Sequence, residues 1–147
     1  MSNLKPDLFL LNLRIGNDLI GGITCHLDLG ISPTNKMAQG RAEVFQATNP
    51  VLYVQSIVTG PYFYMCTMED CHIRIDLIGY EDSENGSQKN FEATIVLTED
   101  WKTGTANYSF SNNGDWTSLS DQKVQLAENS GILDHGKLAD TVKLAEA

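Results

Sequence analysis

Apolar and polar residues alternate with a period of two through most of this chain, and that period limits its possible folds more than any other feature. In "GGITCHLDLGI", Ile23, Cys25, Leu27 and Leu29 fall on one side of an extended backbone, with Thr24, His26 and Asp28 on the other. "GRAEVFQA" sets Ala42, Val44 and Gln46 against Arg41, Glu43 and Phe45, and "VLYVQSIV" follows the Asn49-Pro50 break. After Gly60-Pro61 come "YFYMCTM" and, beyond a turn at Glu69-Asp70, "CHIRIDLIGY", whose Ile73, Ile75 and Leu77 oppose His72, Arg74, Asp76 and Ile78. "EDSENGSQKN" reads as a solvated loop carrying Asn85-Gly86. Phe91, Ala93, Ile95 and Leu97 then alternate with Glu92, Thr94 and Val96, and Ala106, Tyr108 and Phe110 share the next register. Asn113-Gly114 predicts a type I′ hairpin, because both residues tolerate positive φ, with "WTSLSDQKVQL" returning from it.

Short strands joined by turns, without helical crossovers, predict an all-β antiparallel meander of about eight strands over residues 1–128, forming a β-sandwich or closed barrel. Phe45, Ile78 and Val96 put apolar side chains on the otherwise polar faces, which leans toward the sandwich. Residues 129–147 change period: Leu138, Val142 and Ala145 recur at helical spacing and predict a short C-terminal amphipathic helix, serving as a lid or as a docking element.

A chain of 147 residues is long enough to bury one core without metals or disulfides. Its formal net charge of −9, with the basic residues dispersed, argues against a nucleic-acid partner or an anionic membrane. No apolar run approaches the roughly 20 residues that span a bilayer, and the N-terminus lacks a signal-peptide pattern. The expectation is a cytoplasmic protein without membrane insertion, with signal-independent export left open.

Cys66, Cys71 and His72 lie close together, with Cys25 and His26 as a second such pair. Zinc needs four convergent ligands, but strand alternation sends the neighbours Cys71 and His72 to opposite faces, as it does Cys25 and His26. No metal or other cofactor is expected. A bridge between Cys66 and Cys71 is geometrically easy across "TMED", yet a reducing cytosol would keep both as free thiols, which is the preferred reading. Cys25 reads as a small buried hydrophobe. No Gly-x-Ser-x-Gly, phosphate loop or His-Glu-x-x-His occurs, and His26, His72 and His135 have no nucleophile at a telling spacing. "EDSENG" carries oxygen ligands without the calcium-loop register.

Several short motifs in order, "QATNPVL" (46–52), "GPYFYM" (60–65), His72-Ile73, Gly79-Tyr80 and "DWKTGTANYSF" (100–110), resemble an uncharacterised bacterial family, number 1842 among the domains of unknown function. The resemblance runs from about Leu10 to Leu126. It implies a bacterial source and a small mostly-β domain, and carries over no activity, cofactor or catalytic residue. Cys66, Cys71 and the tail after Leu126 depart from the family pattern.

The remaining chemistry is recognition. Trp101 and Trp116 sit at loop-to-strand junctions where a large ring can be half exposed, and Tyr80, Asn112, Asn113 and Asp115 add a ring, amides and a carboxylate suited to a glycan or protein ligand. Val58, Tyr62 and Tyr64 read as packing. These features predict a non-enzymatic binding or protein-interaction module that self-associates, through an edge strand or the tail if the sheets form an open sandwich. The alternatives are a barrel holding a small apolar ligand, with or without turnover, or a component of a bacterial toxin system.

Overall fold

The computed structural model describes residues 8–17, 21–48, 51–81 and 88–127. Eight strands run in chain order: β1 (Phe9–Ile15), β2 (Thr24–Ser32), β3 (Met37–Gln46), β4 (Leu52–Cys66), β5 (Cys71–Tyr80), β6 (Lys89–Thr98), β7 (Thr103–Asn112) and β8 (Asp115–Leu126). Each pairs antiparallel with the next, and β1 pairs with β8, so the meander closes into a barrel. The lean toward a sandwich is therefore corrected. Phe45 and Ile78 stay outside, exposed, and do not face a second sheet. The tail helix at 129–147, Asn49-Pro50, Asn85-Gly86 and His135 lie outside the described residues.

The observed strands follow the alternation. Leu11, Leu13 and Ile15 on β1, Cys25 through Ile31 in steps of two on β2, and Phe91 through Leu97 in steps of two on β6 all point inward with at most 5% exposure. Closing a sheet this tightly needs sharp bends, and glycines supply them. A Cβ on Gly60 would overlap the Asp76 carbonyl oxygen, and one on Gly104 would overlap that of Val96. Gly60-Pro61, expected to break the chain between two strands, lies instead inside the 15-residue β4. The β4–β5 ladder skips these two residues, between Thr59↔Ile78 and Tyr62↔Ile75, so the donor that proline lacks is not called for.

The interior is filled with side chains. Tyr62, Tyr108, Phe91 and Phe110 are its largest fully buried members, with Leu, Ile, Val and Ala between them. At one end Trp101 takes a left-handed backbone (φ 65°) in the β6–β7 turn and lays its ring edge-on to Phe9 and Tyr62, each with ring centroids 5.2 Å away, closing that mouth. Asp100 steadies the same turn by accepting bonds from the Thr98 hydroxyl (2.5 Å) and the Lys102 amide (3.1 Å), which hold its carboxyl below the usual carboxylate range. Deeper inside, the Ser56 hydroxyl donates to Asn90 (2.6 Å), whose amide donates to the Gln55 carbonyl, so this buried polar pair is satisfied. The Tyr108 hydroxyl, in contrast, is buried without a hydrogen-bond partner.

Candidate functional site

With the interior packed, binding chemistry falls to the outer surface, and that surface has two unlike sides. Outward positions on β6, β7 and β8 are mainly polar: Glu92, Thr94, Asn107, Ser109, Ser118 and Ser120. Outward positions on β3, β4 and β5 carry large apolar side chains. The register sets Phe45 beside Tyr53 in one group and Ile57, Tyr80 and Ile78 together in a second, with the polar Glu43–Gln55 row between the two groups on the same face. Phe45 (42%), Tyr53 (52%), Ile57 (42%) and Ile78 (43%) are all well exposed, on the phase of the alternation where water-facing residues belong. The Tyr53 hydroxyl donates to Glu43 (2.6 Å), a bond that raises the tyrosine's pKa and fixes the ring against the sheet.

The patch continues onto a hairpin. β3 runs out of partners for β4 at Met37↔Pro61, so residues 63–66 of β4 pair with β5 alone. Phe63, Tyr64 and Met65 are exposed there and Met68 is fully exposed at the tip. Lys36 lies over the Tyr64 ring (5.4 Å to its centroid) and Arg74 over the Phe63 ring (5.9 Å). Tyr64, expected as packing, is thus half exposed, while Val58 and Tyr62 are buried as expected. Cys66 and Cys71 form the last pair of the ladder, Cα atoms 4.0 Å apart, and are joined in a disulfide. This corrects the free-thiol reading: the hairpin neck puts the two side chains face to face, and the bridge staples the tip. Cys25 is free and buried as expected, and burial pushes its thiol pKa up.

The residues singled out from sequence do not converge. Trp116 is half exposed on β8, with Asn112, Asn113 and Asp115 at the adjoining turn, where Asn113 (φ 56°) and Gly114 (φ 94°) take the expected left-handed backbone. Trp101 sits at the opposite end of the ten-residue β7, about 30 Å away, and packs against the core. Tyr80 is on β5, three strand spacings or about 14 Å around the barrel from β8, and belongs to the apolar patch. Phe45, Tyr53, Ile57, Phe63 and Ile78 were not picked as site residues. The sequence marks Phe45 and Ile78 as apolar side chains on the polar phase of a strand, which leans toward a second sheet layer, and gives Ile57 no such mark.

A second feature lies on the polar side. Two neighbouring cross-strand rows, Ile78–Glu92–Ser109–Ser118 and Asp76–Thr94–Asn107, line a trough of about 390 Å³. A bulge on β8 at Asp121 (φ 54°), whose amide donates to the Asn107 side chain (2.8 Å), bends the sheet at one edge of it. Asp76 is paired with Arg74 (3.0 Å) and Glu92 with Lys89 (2.5 Å), so the trough's charges are balanced.

Residues 7–116 match the family model described as a domain of unknown function (DUF1842), and the chain belongs to that family. No curated protein matches the chain.

Proposed function

We propose that the chain is a non-enzymatic protein-interaction module whose binding surface is the outer face of β3, β4 and β5, extended by the stapled β4–β5 hairpin. The observation that carries this reading is segregation. Most of the large apolar side chains exposed on the strands are gathered on β3, β4 and β5, while β6–β8 are mainly polar outside, with Trp116 on β8 and Leu10 on β1 as exceptions. Apolar residues inside and a polar β6–β8 exterior are the reverse of a membrane-spanning barrel, which turns an apolar band outward. A filled interior disfavours the alternative of a small apolar ligand held inside. The test is a photo-crosslinking amino acid placed at Tyr53 or, as control, at Ser109, in the cell that makes the protein. Position 53 is expected to give a discrete crosslinked species and position 109 none; no product at 53, or equal products at both, rejects the reading.

The trough supports a second reading from a different class, a site for a neutral oligosaccharide. Hydroxyls, an amide and balanced carboxylates suit sugar hydroxyls, and Ile78 offers an apolar rim. Amide chemical shifts recorded while adding maltotriose, cellotriose or a chitin trisaccharide would move at Thr94, Asn107, Ser109 and Ser118. Silence across that panel removes this reading.

A further inference from the structure

We infer that the partner on the β3–β4–β5 face is a second copy of the chain, packed face to face about a two-fold axis; this rests on reading that face as the binding surface. Charge is the first argument. The chain carries −9, so most approaches between two copies are repulsive. On this face Arg41 and Arg74 supply two of the ten basic residues, balanced by Glu43 and Asp76, two of the nineteen acidic ones. Counting Glu69 and Asp70 at the hairpin tip brings the acids to four. The face is close to neutral and carries both signs, as a self-complementary contact requires. A strongly basic partner would instead be drawn to the acidic remainder of the barrel.

Sidedness is the second argument. Because the largest group of exposed apolar side chains lies on β3–β5, a two-fold contact covers it on both copies, and the assembly closes at two. Barrel closure shortens the free sheet edge to the part of β8 before Val124, since β1 and β8 pair only at Leu13–Ile15 with Val124–Leu126, and the β3–β5 face offers the larger apolar surface. Size sets the strength. Three strands about 4.8 Å apart and some ten residues long present on the order of 500 Å² in projection. A standard interface buries about 800 Å² per partner, so the contact is a small one and the dimer is weak and concentration-dependent.

Sedimentation velocity on the purified full chain, from low micromolar to several hundred micromolar, tests this. The mass is expected to move from 16.2 kDa toward twice that value as concentration rises. Ile57→Lys is expected to hold the protein at the single mass with an unchanged melting temperature, and Ser109→Lys to behave as the parent chain. A monomer throughout, or a dimer that survives both Ile57→Lys and Tyr53→Lys, overturns the inference. If the chain is monomeric but the crosslinker at Tyr53 captures a protein of another mass, the second-copy inference falls while the binding face stands; no crosslink at all brings down both.

Discussion

Replacing Tyr108 with phenylalanine is expected to stabilise the protein. Its hydroxyl is 98% removed from solvent with its residue, which is 2% exposed, and it has no hydrogen-bond partner. In the unfolded chain that hydroxyl is bonded to water, so folding forfeits a bond worth about 1 to 3 kcal/mol when nothing replaces it. The ring's own packing is kept in Tyr108→Phe, since Phe91 and Phe110 lie 6.0 and 6.3 Å from it between centroids and contact carbon, not oxygen. A gain of about 1 to 2 kcal/mol follows, or roughly 3 to 6 °C in melting temperature for a domain of this size. Urea denaturation of both proteins gives the difference directly, provided the slope with denaturant is unchanged. A loss of stability, or no change, would refute the reasoning: the hydroxyl would then be bonded to water or a small molecule, and the interior would not be the dry, filled core described above.

Gly60→Ala is expected to cost more than about 4 kcal/mol or to abolish soluble protein, because the added carbon meets a backbone carbonyl that cannot rotate away; a melting temperature within a few degrees of the parent would contradict the bend assigned to Gly60. Thiol titration under denaturing, non-reducing conditions should find one thiol, Cys25, and three after reduction, with loss of the staple costing about 2 kcal/mol for so short a loop; three thiols without reductant would rule the bridge out. Burial raises the Cys25 thiol and Tyr108 phenol pKa values, with the nearby Glu43 and Cys25 charges adding to each in turn. The unfolded chain therefore loses these protons first, near 9.0 and 10.0, while the folded one keeps them, so stability should fall as pH rises above about 9. A urea midpoint flat from neutral pH into that range would count against both assignments. Trp101→Ala should lower the melting temperature through the lost plug against Phe9 and Tyr62, whereas Trp116→Ala should stay within about 0.5 kcal/mol of the parent; the reverse order would restore Trp101 as a surface residue.

The inward faces of β2, β3, β5, β6 and β7 were legible because each strand keeps one phase from end to end. Two things were not. Whether eight strands close or stack depends on stagger and on tight bends at Gly40, Gly60 and Gly104, and the contacts that demand glycine there come from the backbone of the adjacent strand, which only the pairing register brings opposite. For the same reason Gly60-Pro61 looked like a break, although the missing side chain and missing donor both fit a gap in the ladder. The site was half visible. Ile78 and Phe45 stood out as apolar residues in polar phase, but their neighbours Ile57 and Tyr53 come from β4, and only cross-strand register brings each pair together. The aromatic rule misplaced Trp101, because a residue in a turn can fold back over the barrel mouth as readily as face water. The Cys66–Cys71 bridge was judged by assumed compartment, whereas the hairpin pairing alone brings the two together.

The central claim is that the β3–β5 face serves association and not the fold, and lysine substitutions around the barrel separate the two most directly. Phe45, Tyr53, Ile57 and Ile78 would each be changed, with Thr94, Ser109 and Ser118 as controls, and each variant measured for melting temperature and for complex formation in the producing cell. All seven should melt within about 0.5 kcal/mol of the parent, and only the first four should lose the complex. If those four instead lose stability while keeping the complex, or if the controls lose it as readily, the apolar face is structural and the function lies elsewhere on the barrel.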